Sequence, residues 1–408
     1  MQQLVIGDKN IDTISGPVSM HILYPKPKYL KLFPKAPILI LFGDHHFDDR
    51  GYCTIQNEDK NIIHFNVFDR EFLQLFSNAV GVDGVDLYLE GGAKTHDFSK
   101  ENTLKTELAS GRMGAMKELW KLFRECYRNT RMKREPVKDS GCDVIKNIRW
   151  QSSDIRGYGQ YKAYEDIQFI FDNLVITRYR YNDEDLMLEF RKMICFEVDF
   201  KGYLEHVLLI QDEFIKKYLY DDKSLIVKQL KKINDQEKKK YLIDIFKKYI
   251  KTEYEKTDPE LLKEFMLFNN SIIIISNDDN SGDYKTAYDY VLRFIRGKIF
   301  EKYTAFILGL FTLLPDLYIL ARSHKYMLKT NDDESKEELK YPLLNIVYYG
   351  DYHVKNLVTC LGEIYDILSS VSTDTENWDG KRCIFVNKHI NLNKYIADLK
   401  LFRLTQPS

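Results

Sequence analysis

Four short apolar runs, each followed at once or nearly so by polar or charged residues, constrain the fold of this chain more than any other feature. They are Ala36–Phe42, Val85–Leu89, Ile148–Ser152 and Asn345–Tyr349. Each run is too brief for a helix and is bounded by turn or polar residues, which is typical of a buried strand. The sequence therefore predicts an α/β protein whose core is a sheet built from these strands.

Helical patterns lie between these strands and after the last of them. They cover Asp69–Val80, Thr103–Arg128, Gln160–Ile176 and Val354–Val371, and Cys383–Val386 is a candidate for a further strand. In α/β sheets, ligands bind at the carboxyl ends of the strands, because the loops converge there. Four polar clusters in that position predict one shared site.

The segment from Asp183 to about Arg296 differs from its flanks, because it is dense in Lys and Glu and helical by periodicity, as in Lys228–Lys251. Its lysine run, Lys238-Lys239-Lys240, would suit a phosphate, but the interspersed acidic residues favour a solvated helix face. We therefore expect three parts. Residues 1–182 form the N-terminal half of the core, residues 183–296 a large helical insertion, and residues 297–408 the C-terminal half.

Two Gly-Asp-x-His sequences, Gly43-Asp44-His45-His46 and Gly350-Asp351-Tyr352-His353, directly follow predicted strands. We expect each glycine to let the chain turn off its strand, so that the histidine points back over the sheet edge. Glu90 closes a third strand, where a charge is costly to bury unless it is paired or binds a cation. Two imidazoles and one carboxylate form a common metal site with open positions, so His46, Glu90 and His353 are candidate ligands of a divalent ion such as Zn, Mn or Co. The alternative is that each motif is a simple turn whose Asp caps the next helix.

The remaining polar residues of these clusters suggest catalytic roles. Asp44 or Asp351 would accept the proton of a water molecule whose pKa the ion lowers from ~15.7 to about 7. Arg156 and Arg322 would stabilise an oxyanion or hold a carboxylate or phosphate, because guanidinium binds such groups in a bidentate manner. Structural salt bridges with nearby aspartates are the alternative for both arginines.

These motifs resemble those of the superfamily that includes the TIKI, TraB/PrgY, ChaN and erythromycin-esterase (EreA) proteins. The usual first motif of that family is Gly-Glu-x-His, and the sequence Gly43-Asp44-His45-His46 matches it with aspartate in place of glutamate. Gly350 and His353 correspond to the second motif, and Glu90 corresponds to the acidic strand end. Trp150–Arg156 and Pro315–Arg322 are similar to further family segments.

The resemblance implies an EreA/ChaN-like mixed sheet core with flanking helices, and metal-dependent hydrolysis of a peptide or ester bond in a peptide or small-molecule substrate. Family members differ so widely that the fold alone does not select a substrate. Aspartate at position 44 retracts the carboxylate by one methylene, which supports a second hypothesis: a catalytically degenerate structural or interaction protein, for instance of a viral particle. A haem-binding or iron-binding protein, as in ChaN, is the third.

Composition restricts the partners and the compartment. The 60 basic residues nearly balance the 61 acidic ones, so no overall field draws the chain to nucleic acid or to an anionic membrane. The six cysteines lack a CxxC pair, which favours a reducing, intracellular setting. The most apolar stretch, Ala305–Leu314, is well short of the ~20 residues of a membrane span. Lys, Ile, Asn and Tyr are used freely, as expected from an AT-rich genome such as that of many large DNA viruses or protists. We expect a cytoplasmic protein, in host cytoplasm or a virion if the source is viral.

Overall fold

The computed structural model describes residues 2–45, 63–66, 70–92, 119, 122, 148–154, 219–222, 224–233, 235–255, 313–323, 341–372 and 383–406. The chain divides into two compact units. The first unit comprises Met1–Ile155, Lys232–Lys238 and Tyr318–Ser408, and the second comprises Arg156–Lys231 and Lys239–Leu317. The predicted boundaries of the helical insertion, at 183 and 296, lie outside the described residues, so the insertion stays a prediction.

The strands of the first unit form two mixed sheets. They are β1 (Leu4–Ile6), β2 (Lys9–Ser15), β3 (Ser19–Pro25), β4 (Ile38–Asp44), β5 (Ile63–Asn66), β6 (Val85–Gly92), β7 (Ile148–Asp154), β8 (Leu344–Gly350), β9 (Tyr365–Ser372), β10 (Cys383–Phe385) and β11 (Ile390–Asn391). Among the described residues, the named helices are α1 (Pro27–Leu32), α2 (Arg70–Val80), α3 (Leu225–Leu230), α4 (Gln236–Glu255), α5 (Asp351–Leu361) and α6 (Leu392–Thr405). Residues 313–323 are also helical. The predicted α/β class is confirmed.

The larger sheet has six strands in the order β7-β6-β8-β4-β3-β9. The four strands predicted from the sequence are its four consecutive members β7, β6, β8 and β4, and all of them run parallel. In register, Asp44 pairs with Gly350, and Leu89 pairs with Tyr348. The carboxyl ends of these strands therefore lie along one edge of the sheet, as predicted.

Helices cover the two faces of this sheet. Successive side chains of a strand point to opposite faces, so Phe42 and Gly43 of β4 face opposite sides. Phe72 of α2 packs against Phe42, with ring centroids 6.2 Å apart. Asp351, at the start of α5, lies against Gly43. The core is therefore sandwiched between α2 and α5, and α5 begins at the carboxyl edge.

The segment after α5 corrects the predicted helix Val354–Val371. The helix ends at Leu361, and residues from Tyr365 onward form β9, which pairs antiparallel with β3. Towards the end of β9 burial alternates, with Ser369 and Val371 buried and the residues between and after them exposed. The apolar residues of this segment fit both the helical period and the strand period. Pairing with β3, some 350 residues earlier in the chain, makes the segment a strand.

The smaller sheet joins the beginning and the end of the described chain. Strand β1 pairs antiparallel with β2 and parallel with β11, and β2 also pairs with β5 and β10. Gly7 turns the chain between β1 and β2 at φ 59°, a conformation that favours glycine. Asn393 of α6 accepts from the backbone N–H of Gly7 and donates to its carbonyl, both at 2.8 Å. The predicted strand Cys383–Val386 is present as β10.

Arg403 of α6 ties together the amino ends of β4 and β8. Its Nη1 donates to the carbonyl of Tyr341 at 3.1 Å, and its Nη2 donates to the carbonyls of Lys35, Ala36 and Pro342 at 2.8, 3.2 and 3.0 Å. Burial lowers the pKa of Arg403 to about 10, although the charge of Asp83 acts in the opposite direction. A guanidinium has enough fixed donors for four carbonyls, which no other side chain offers.

The predicted helical stretch Lys228–Lys251 is two helices rather than one. Ser224 caps α3 by accepting from the N–H of Ile226 at 3.2 Å. Asp235 caps α4 by accepting from the N–H groups of Glu237 and Lys238 at 2.9 and 3.1 Å. A short polar side chain at an N-cap competes with helix continuation, and this explains the interruption. Within the described residues, no helix is long and apolar enough to cross a membrane.

Candidate functional site

Glu90 and His353 meet at the carboxyl edge of the six-stranded sheet. Glu90 lies near the end of β6, and His353 lies in the first turn of α5, directly after β8. Nε2 of His353 is 3.5 Å from Oε1 of Glu90, and both residues are buried, 3% and 7% exposed. Two of the three predicted metal ligands are therefore in contact, although they lie far apart in the chain.

The distance between these two atoms fits joint binding of a cation. A direct hydrogen bond between nitrogen and oxygen is shorter, about 2.7 to 3.2 Å. Two ligand atoms that each lie about 2.0–2.1 Å from a tetrahedral zinc ion are about 3.4 Å apart. The Glu90–His353 pair has this spacing.

The second carboxylate oxygen of Glu90 is held by the backbone. Oε2 accepts a hydrogen bond of 2.6 Å from the N–H of Gly350, the residue that caps α5. This N–H is one of the helix donors without a partner inside the helix, and the positive end of the helix dipole favours a carboxylate there. Such a hydrogen bond fixes the orientation of a carboxylate and leaves Oε1 turned towards the imidazole.

Asp44 ends β4 at the same edge and is 2% exposed. It lies in register with Gly350, on the strand next to β8. A carboxylate is therefore buried at the end of each of the two strands that flank β8, Asp44 on one side and Glu90 on the other. Burying each of these carboxylates requires donors or a cation, because each loses its hydration.

The two motif glycines act differently from the sequence-based expectation of a sharp turn. Gly43 lies inside β4, and Gly350 has φ −52°, an ordinary value for any residue. A Cβ on Gly43 would collide with the side chains of Ser19 and Asp351 and would lie 3.0 Å from the Cα of Asp351. Gly43 is therefore required for the close approach of α5 to β4.

Asp351 is held in place by two donors. Its Oδ1 accepts from the hydroxyl of Ser19 on β3, and its Oδ2 lies 2.7 Å from Nζ of Lys355, one helical turn further along α5. The carboxylate thus connects β3 to the first turn of α5, over Gly43. The alternative interpretation, in which the aspartate of the motif caps the next helix, is wrong for Asp351, because the cap residue is Gly350 and Asp351 is the first residue of the helix.

The imidazole of His353 packs against an aromatic ring from β8. Its ring centroid lies 5.4 Å from that of Tyr349, edge to face at 80°. Tyr349 is fully buried, so the imidazole has a rigid support that limits its rotation.

Three further residues were predicted for the site, namely His46, Arg156 and Arg322. His46 and Arg156 lie outside the described residues. Arg322 lies in the helical residues 313–323, where its Nη1 donates to the hydroxyl of Tyr318 at 3.3 Å and its guanidinium lies 6.0 Å from that ring's centroid. In the described part of the chain, no three His, Cys, Asp or Glu side chains form a complete metal site.

His21 is a further ionisable residue near this edge that carries no sequence motif. It lies on β3, is 6% exposed, and its Nδ1 is 2.9 Å from the hydroxyl of Ser370 on β9. Burial lowers the pKa of His21, the charge of Asp351 raises it, and that of Lys355 lowers it. Its only signal in the sequence is a histidine within an apolar run.

In comparisons with family models, curated proteins and solved structures, nothing matches this chain.

Proposed function

We propose that this chain is a metal-dependent hydrolase of peptide or ester bonds, with a divalent ion such as Zn, Mn or Co bound by Glu90, His353 and His46. The observation that carries the proposal is the spacing of 3.5 Å between Glu90 Oε1 and His353 Nε2, both buried at the carboxyl edge. The backbone bond that orients Glu90 supports it further, because metal-binding carboxylates are commonly held by a second hydrogen bond.

An EreA/ChaN-like identity of the core is part of the same proposal. Its support is that both Gly-Asp-x-His motifs begin at the ends of adjacent parallel strands, with the acidic strand end on β6 beside them. A substrate of the hydrolase would be a small ester or a peptide.

Each residue of the proposed site has its own role in hydrolysis. When bound, the ion would supply an acidified water and a Lewis acid for the scissile carbonyl. Asp44 or Asp351 would accept a proton, and the carboxylate of Asp351 is held in place by Ser19 and Lys355. Gly350 orients Glu90, and Tyr349 fixes the plane of His353. Arg156 and Arg322 would bind the anionic part of the substrate or of the transition state.

The test is metal binding to the full chain after treatment with a chelator and titration with Zn, Mn or Co. We expect about one equivalent in the wild type, and an affinity at least about 100-fold lower in Glu90→Gln and His353→Ala. Glu90→Gln keeps the acceptor for Gly350 and removes the charge, so it separates ligation from folding. The matched control is His389→Ala, since His389 is an exposed histidine outside the site.

Two results would contradict the proposal: no stoichiometric binding by the wild type after reconstitution, or equal affinity in the wild type and both site variants. Either would favour the hypothesis of a structural or interaction protein. An absorbance band near the Soret region on titration with haem would favour the third hypothesis, haem binding.

A further inference from the structure

Ser370 and His21 form a pair of a nucleophile and a base that the proposed metal site does not use. Ser370 on β9 and His21 on β3 are opposite each other as cross-strand partners. The hydroxyl of Ser370 lies 2.9 Å from Nδ1 of His21. Ser370 is exposed, whereas His21 is buried. A reactive group open to solvent is thus combined with a base that packing holds in one position.

The surroundings of His21 favour its role as a proton acceptor. Burial disfavours the imidazolium, so the imidazole is neutral in the neutral pH range and one ring nitrogen is free of a proton. Among the described residues, Nε2 has no hydrogen-bond partner, so Nδ1 makes the one hydrogen bond of the ring there. The negative charge of Asp351 acts on the ring and would stabilise the imidazolium that forms during a reaction, while Lys355 opposes this.

Two exposed side chains bind the main chain of β9 at and near Ser370. Nδ2 of Asn387 is 3.5 Å from the backbone carbonyl of Ser370, and Nζ of Lys388 is 3.1 Å from the carbonyl of Leu368. Both side chains are exposed and reach the outer edge of β9. These contacts hold the segment after β10 against the strand that carries Ser370.

We propose that Ser370 is a nucleophilic serine activated by His21, and that this pair cleaves small ester substrates by acyl transfer. Ser370 Oγ attacks the ester carbonyl, its proton passes to Nδ1 of His21, and the bond to the alkoxide breaks. The alkoxide leaves with the proton from His21. Water then attacks the acylated Ser370, gives its proton to His21, and releases the acid with Ser370 restored.

The test is reaction of the full chain with a fluorophosphonate probe, followed by intact mass measurement and peptide mapping. Ser370 Oγ displaces fluoride from phosphorus, and its proton passes through His21 to solvent. We expect a single adduct on Ser370, and a labelling rate at least about 100-fold lower in His21→Gln. The wild-type mapping needs no variant, so it remains decisive if His21→Gln does not fold.

Ser372→Ala is the matched control, because Ser372 is exposed on the same face of β9 two residues further on. We expect labelling of this variant at the wild-type rate, and no labelling of Ser370→Ala. Absence of an adduct on Ser370 in the wild type would overturn the proposal, and so would an unchanged rate in a folded His21→Gln. Treatment with a chelator should leave the labelling unchanged, which separates this site from the proposed metal site.

Discussion

The two edges of the six-stranded sheet use charged groups in opposite ways. At the amino edge, Arg403 donates to four backbone carbonyls, and these hydrogen bonds join chain segments. At the carboxyl edge, the buried residues Asp44, Glu90 and His353 are themselves ionisable. The guanidinium is bound to main-chain carbonyls alone, whereas Glu90 contacts both a backbone N–H and the titratable side chain of His353. The amino edge thus serves stability, and the carboxyl edge carries the candidate site.

Substitution at the amino edge should lower the free energy of unfolding more than substitution at the carboxyl edge. We expect Arg403→Met to lower the free energy of unfolding by about 3 kcal/mol, because the substitution removes the donor for four carbonyls at the start of β4 and β8. Urea denaturation followed by circular dichroism measures this. The variant should keep the metal affinity of the wild type when it is folded.

Lys400→Met is the matched control on the same helix. Lys400 forms an ion pair of 3.6 Å with Asp83, and both side chains are more than one third exposed. Exposed pairs contribute little, so we expect a change of less than about 0.5 kcal/mol. If the two variants were equally stable, the distinction between the amino edge and the rest of the surface would be wrong.

At the carboxyl edge, the largest effect should come from Gly43→Ala. The added methyl group has no room between Ser19 and Asp351, and overpacking of this kind costs about 2 kcal/mol. Because the start of α5 must shift, we also expect weaker metal binding, measured by titration of the folded variant.

Gly362→Ala tests whether the effect of Gly43→Ala is specific. Gly362 has φ −56°, and a methyl group on its Cα would lie 3.5 and 3.6 Å from its nearest neighbours, which is ordinary contact. We expect stability close to that of the wild type. Wild-type stability in Gly43→Ala as well would show that α5 does not need close contact with β4.

The smallest expected effect is a pH dependence that comes from His21. Burial lowers its pKa below the ordinary 6.5 in the folded chain. As the pH falls below 6.5, the unfolded chain takes up a proton before the folded one does, so the free energy of unfolding decreases by at most about 1.4 kcal/mol per pH unit. Well above 6.5 both states are neutral, and His21 causes no change.

Denaturant titrations of the wild type and His21→Gln between about pH 7.5 and about pH 5 measure this contribution. We expect a shallower loss of stability in the variant over that window. Identical slopes in the two proteins would mean that the burial of His21 does not oppose its protonation.

The sequence is sufficient to predict the parallel half of the large sheet but not its antiparallel half. Strands such as β8 are continuous apolar runs because both faces are buried, and this signal is local. The sequence pattern does not reveal β3 and predicts a helix where β9 lies, because the identity of these strands depends on pairing with each other across the length of the chain.

The same distinction applies to the site. The contact between Glu90 and His353 is predictable because each residue follows a recognisable strand, and the carboxyl ends of neighbouring parallel strands meet. The contacts of Arg403 are beyond prediction, since their acceptors are main-chain carbonyls that carry no sequence signal. His21 and Ser370 become neighbours only through the pairing of β3 with β9.

The parallel pairing of β1 with β11 has a consequence for synthesis of the chain on the ribosome. Leu4 and Val5 pair with Ile390 and Asn391, so β1 is synthesised long before its partner β11. Until then β1 lacks its β11 neighbour, and contacts of such long sequence separation form slowly. The smaller sheet should therefore be completed only after translation has passed β11, and the nascent chain is exposed to misassociation and to chaperones for most of that time.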